Sequence, residues 1–153
     1  MNTRPRRKFK KKLPIIKEKS CGVILFRSKE GSREYLLLHY PGGHWDFPKG
    51  HVEDHDENEM ATAHRELEEE TGISDIKFLD GYREPMYYAF NRGRKERVEK
   101  VVVYFLAETT LKDIKLSHEH QGYSWLPYQE AMDQLTFDNA RDLLEKARHF
   151  LKD

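Results

Sequence analysis

The stretch GHVEDHDENEMATAHRELEEETGI, Gly50 to Ile73, constrains the fold and chemistry of this chain more than any other segment. Its second half has helical periodicity from about Glu57 to Thr71, and Gly72 supplies a stop. At 100° per residue, Glu66, Glu69 and Glu70 share an arc of ~100°. Met60, Ala63, Leu67 and Thr71 form a neighbouring stripe that can pack on a sheet. Arg65 precedes Glu69 by one helical turn and can pair with it. Three carboxylates on one face repel each other at neutral pH. A divalent cation would turn that repulsion into ligation, and Mg2+ favours oxygen donors. A solvated acidic face is the plainer reading of an isolated glutamate run, since glutamate is a good helix former.

The flanking segments read as a sheet with further helices. Ser20 to Phe26 and Glu34 to His39 are apolar strands joined by a turn at Gly31, a hairpin pattern. Tyr40 to Pro48 reads as a loop. Ile73 to Tyr82 and Tyr87 to Phe90 read as extended, and Asn91 to Glu99 as a polar, basic hairpin tip. Lys100 to Glu108 is the strongest strand signal. Two helices are expected near Tyr128 to Leu135 and Asp138 to Leu151. Strands on both sides of one helix, with helices at the end, predict an α+β fold or an α/β/α sandwich.

At 153 residues the chain suits one domain. Of its 27 basic residues, seven lie between Arg4 and Lys12; the other 20 face 27 acidic ones, so the body carries about −7. Residues 1–16 are expected to be a flexible basic tail and 17–153 the folded domain. The tail reads as a solvated terminus, with an electrostatic arm for RNA as the less favoured alternative. No apolar run approaches the ~20 residues of a membrane span. The lone Cys21 has no partner for an internal disulfide, so a cytoplasmic setting is expected. A monomer is the working expectation.

Gly50, Glu57, seven residues, then RELEEETGI resembles the signature box of the Nudix hydrolases. That box reads Gly, five residues, Glu, seven residues, Arg-Glu-aliphatic-any-Glu-Glu-any-Gly-aliphatic. The one departure is that six residues, His51 to Asp56, follow Gly50. Asp54 or Asp56 is a candidate cap for the helix. CGVILFR, GHWDFPKGHVE and LSHEHQGYSWL further resemble the asymmetric diadenosine tetraphosphate hydrolases of animals and archaea.

The resemblance implies an α/β/α sandwich with a mixed sheet and a loop-helix-loop metal site. It implies Mg2+, with Mn2+ as a substitute, and cleavage of the dinucleotide to ATP and AMP. Glu69, Glu70 and Glu119 would hold metal with the Gly50 carbonyl, and Glu66 would be a ligand or the general base. Arg65 would orient a carboxylate, and Glu57 would assist the metal site or favour the helix start. His44, Lys49 and Lys100 would line the polyphosphate, and Tyr87 and Tyr123 would stack on adenine. Strand alternation allows only one of Tyr87 and Tyr88 to reach the site. His118 and His120 read as ordinary loop residues, and Trp45 and Trp125 as core or pocket wall. Two alternatives remain: hydrolysis of the 5′-triphosphate end of RNA, and a non-catalytic nucleotide- or RNA-binding protein.

Overall fold

A computed structural model describes residues 12–152. A seven-stranded mixed sheet lies between helices on both faces. The strands are β1 (Ile15–Lys29), β2 (Ser32–His39), β3 (Trp45–Asp46), β4 (Lys49–His51), β5 (Lys77–Arg92), β6 (Glu96–Glu108) and β7 (Gly122–Pro127). The helices are α1 (Glu59–Thr71), α2 (Tyr128–Gln134) and α3 (Asp138–Phe150). The main path runs β3-β2-β1-β6-β5, with β4 added to β1 and β7 to β2. β1 and β6 are parallel, and the other pairs are antiparallel.

Ser20 to Phe26 is buried on both sides, which is why its sequence lacks strict polar alternation. Cys21, Val23 and Leu25 meet Ala63 and Leu67 of α1 on one face. Ile24 and Phe26 belong to the opposite cluster, with Ala140, Leu143, Leu144 and Ala147 of α3. Two apolar clusters on either side of one sheet make the α/β/α sandwich expected from the sequence.

Asn58, not Asp54 or Asp56, caps α1: its side chain accepts from the Ala61 N–H. Gly72 ends the helix at φ 75°, and its N–H bonds the Glu68 carbonyl. The expected turn at Gly31 joins β1 to β2. Elsewhere the strands run further than their sequences imply. β1 starts at Ile15, paired with Arg97, so Ile15 and Ile16 belong to the sheet rather than to the tail. Residues 1–11 of the tail lie outside the described residues. β5 is one strand with a register shift between Phe78 and Arg83, and the hairpin tip shrinks to residues 93–95. β3, β4 and β7 fall in segments where no strand is expected.

Candidate active site

The loop before α1 folds back onto the helix through one ion pair. Arg65 grips Asp56 with two parallel bonds, Nε to Oδ1 and Nη2 to Oδ2, both 2.9 Å. The same carboxylate accepts from the Glu53 N–H at 2.9 Å and the Thr62 hydroxyl at 2.8 Å. The Arg65 guanidinium, and then the Glu53 N–H, hold the Asp56 carboxyl well below the usual range. Arg65 Nη1 reaches Glu66 at 2.9 Å and Glu69 at 3.2 Å, and Nη2 reaches the His51 carbonyl at 3.0 Å. One guanidinium thus ties the loop to two of the three glutamates.

Glu57 has no part in this. It is exposed and makes no hydrogen bond or ion pair among the described residues. Asp56 occupies the place expected of Glu57, and it follows Gly50 after five residues. The extra residue therefore sits between Asp56 and Arg65, not between Gly50 and the acidic position.

Glu66 and Glu70 point inward from α1 beside β4, whereas Glu69 is 58% exposed. Glu70 is almost wholly buried, and its Oε2 has no hydrogen-bond partner. Burial, then the charge of Glu66, pushes its carboxyl up to about 9, although the Lys49 N–H opposes this. Burial also raises the Glu66 carboxyl, against the pull of Arg65. Gly50 pairs with Cys21, and a Cβ there would coincide with the Glu66 carboxylate. Only glycine lets β4 lie this close to α1.

Glu119 completes the acidic wall. Its loop is pinned to the end of α1 by the Lys115 N–H on the Thr71 carbonyl and the Ser117 N–H on the Glu70 carbonyl. Glu119 adds to the upward push on Glu70. Gly50, Glu66, Glu69, Glu70, Glu119 and Lys49 line one open cavity of about 650 Å3, which His118 and His120 also reach. Among the described residues no three acidic, histidine or cysteine groups are drawn tightly enough to form a finished metal cage. Arg65 holds Glu66 and Glu69 instead. The buried, partnerless Glu70 oxygen, the space kept open at Gly50 and the carboxylate donors nevertheless fit a hard divalent cation.

A second cavity, of about 480 Å3, adjoins the first. Lys49 lines both. Its ammonium bonds Asp46 at 2.6 Å and lies 5.6 Å from the Tyr40 ring centre. His44 stacks on Tyr40 at 4.9 Å, and Tyr88, Phe90 and Phe137 supply more aromatic wall. Lys100 pairs with Tyr88 across β5 and β6; burial, then the Lys49 charge, lowers its pKa. His44 and Lys49 thus line the aromatic cavity, while Lys100 lines neither cavity but lies near enough to Lys49 to feel its charge.

The two tyrosines are placed otherwise. Tyr87 is 74% exposed and lines neither cavity; the pleat places it on the face that carries α1 and turns Tyr88 to the aromatic cavity. Tyr123, 41% exposed on β7 opposite Leu38, also lines neither. Tyr40, Asp46, Tyr88 and Phe137 were not foreseen. Alternation pointed to one of the Tyr87–Tyr88 pair, and nothing local marked the other three.

A model of the NUDIX domain matches residues 17–147. The chain belongs to the Nudix family. The rat protein named bis(5′-nucleosyl)-tetraphosphatase [asymmetrical] is 40% identical over 145 residues, covering 87% of this chain and 95% of that one. The Caenorhabditis elegans protein of the same name is 34% identical over 138 residues, covering 87% and 96%. Among solved structures, a C. elegans Ap4A hydrolase binary complex superposes with a TM-score of 0.78 at 34% identity, covering 88% and 98%. Within this Nudix protein, Asp56 stands where the family box has glutamate.

Proposed function

We propose that this Nudix protein hydrolyses diadenosine tetraphosphate asymmetrically, giving ATP and AMP, with Mg2+ as its metal and Mn2+ as a substitute. The observation that carries the reading is the pair of adjoining cavities that share Lys49: one walled by carboxylates, the other by aromatic rings. Relatives named for that activity over nearly their whole length support it.

Glu66, Glu69, Glu70, Glu119 and the Gly50 carbonyl would hold the metal. The bound metal would supply charge neutralisation at the phosphates and a more acidic attacking water. Arg65 keeps Glu66 and Glu69 in reach of the cavity, and Asp56 fixes Arg65. Lys49 and Lys100 carry positive charge along the polyphosphate path, and His44 stands beside it. Tyr40 and Tyr88 offer faces for a base, where aromatic stacking contributes ~1–3 kcal/mol per base. A water adds to one phosphorus, the phosphoanhydride bond there breaks, and its proton passes to a carboxylate of this wall. The expected domain, Lys17 to Asp153, contains every residue of the scheme. Among the described residues no helix is long and apolar enough to cross a membrane. A soluble substrate and the buried thiol of Cys21 fit a cytoplasmic setting.

Turnover of the dinucleotide and of a 5′-triphosphorylated RNA at matched concentration tests the substrate. The dinucleotide is expected to be cleaved faster, and faster release of pyrophosphate from the RNA would overturn the choice.

A further inference from the structure

A separate cavity of about 380 Å3 opens where the start of β2, the start of α2 and the end of α3 converge. Its polar wall is made of Ser32, Arg33, Tyr35, Tyr128, Gln129 and Arg148. Among the described residues two cations and no acid line it, although the chain beyond its basic tail has more acids than bases. Tyr35 is 1% exposed, and its ring meets Tyr128 edge-on at 6.4 Å. Neither of these two hydroxyls makes a hydrogen bond among the described residues. Burial pushes the Tyr35 hydroxyl up, and the charges of Arg33 and Arg148 act against it, so both guanidiniums stand near that oxygen. Arg148 lies over the Tyr128 ring at 4.2 Å and makes no ion pair among the described residues. Ser32 and Gln129, in contrast, already donate to the Lys29 carbonyl and to Asp133. Tyr35 precedes Tyr40 by five residues, about 17 Å of extended chain, and Tyr40 lines both cavities of the active site.

We infer that Arg33, Tyr35, Tyr128 and Arg148 form a second anion site, remote from the active site, that takes a phosphate group. A phenylalanine at position 35 would fill the core as well, and a buried hydroxyl is kept in folded proteins where it finds a partner. Here that partner is an oxygen of the ligand. The donors come from three elements and so approach from several directions. A tetrahedral phosphate can accept from all of them, whereas a planar carboxylate has two oxygens in one plane. Arginine supplies charge and a fixed fork of N–H groups for such an anion. Stacking on Tyr128 holds the Arg148 guanidinium in place before the ligand arrives. The inference draws on none of the residues assigned to the proposed reaction.

Titration of the 15N-labelled full chain with inorganic phosphate, at constant ionic strength, tests this by amide and arginine side-chain NMR. The signals of Tyr35, Tyr128, Gln129 and Arg148 are expected to move together with one dissociation constant. Arg148→Gln is expected to weaken phosphate binding at these signals about tenfold or more, through loss of charge-assisted bonds. Tyr35→Phe, which keeps the ring in the core, is expected to weaken it about fivefold. Unmoved amide signals elsewhere in both variants show that they fold. Phosphate shifts confined to the surroundings of Lys49 overturn the inference. So does an unchanged dissociation constant in both variants. Acetate moving the same signals at the same or lower concentration would make the site one for carboxylates and likewise overturn it.

Discussion

Asp56 and Glu57 are neighbours with opposite fates. The first is locked in a two-pronged bond to Arg65, and the second faces solvent. Removing an oriented partner behind a metal site typically costs 10–100-fold in metal affinity or activity. Asp56→Asn is therefore expected to lower kcat about 10–100-fold, while Glu57→Gln leaves it nearly unchanged. Steady-state kinetics on the two variants checks this, and an equal loss in Glu57→Gln would restore that residue to the site. Glu70 gives a second prediction. Its carboxyl is raised to about 9 by burial and by Glu66. The protonated form stabilises the metal-free fold at low pH, and this contribution fades as pH rises through about 9. A cation must displace that proton, so the Mg2+ affinity should strengthen between neutral pH and about 9, approaching tenfold per unit. Titration calorimetry at several pH values should show the slope in the native protein and a flatter line in Glu70→Gln. A flat line in both would remove Glu70 from the metal set.

Helix α1 is tied to the sheet at its first turn. Glu59 bonds Arg83 at 2.8 and 2.9 Å and Lys19 at 2.6 Å. The Arg83 bonds, and then Lys19, hold its carboxyl down at about 2. A lowered pKa means that the contribution is present above the unfolded value of about 4.3 and is lost as pH falls toward 2. Arg83 is half exposed, so the pair contributes only ~0.2–1 kcal/mol. Arg83→Gln should move the acid-unfolding midpoint, followed by circular dichroism, to higher pH, and an unmoved midpoint would contradict it. The elements themselves were unevenly legible. α1 was readable because its apolar stripe, its carboxylate face and Gly72 are all local. β7 was missed because GYSWLP is short and bounded by Gly122 and Pro127. The parity of Tyr87 and Tyr88 was hidden for a different reason. The register shift between Phe78 and Arg83 helps set which side each later residue of β5 faces, and it depends on pairing with distant β6. The box likewise revealed its glutamates, but only folding of the loop showed Asp56, not Glu57, meeting Arg65.

Across the whole molecule, the sandwich sets an acidic wall and an aromatic wall on either side of Lys49. α1 supplies the first, β5 and the start of α3 contribute to the second, and β4 carries Lys49 between them. Tyr88→Ala should therefore raise KM for the dinucleotide by about fivefold or more through lost stacking. An unaltered KM would move the base elsewhere. The central claim is that glutamates of α1 and the loop before β7 gather a divalent cation against a polyphosphate. It is tested most directly by identifying the products of diadenosine tetraphosphate in Mg2+ and in excess chelator. ATP and AMP in equal amounts with Mg2+, and no turnover with chelator, are the predicted result. Two molecules of ADP, or undiminished cleavage in chelator, would contradict it.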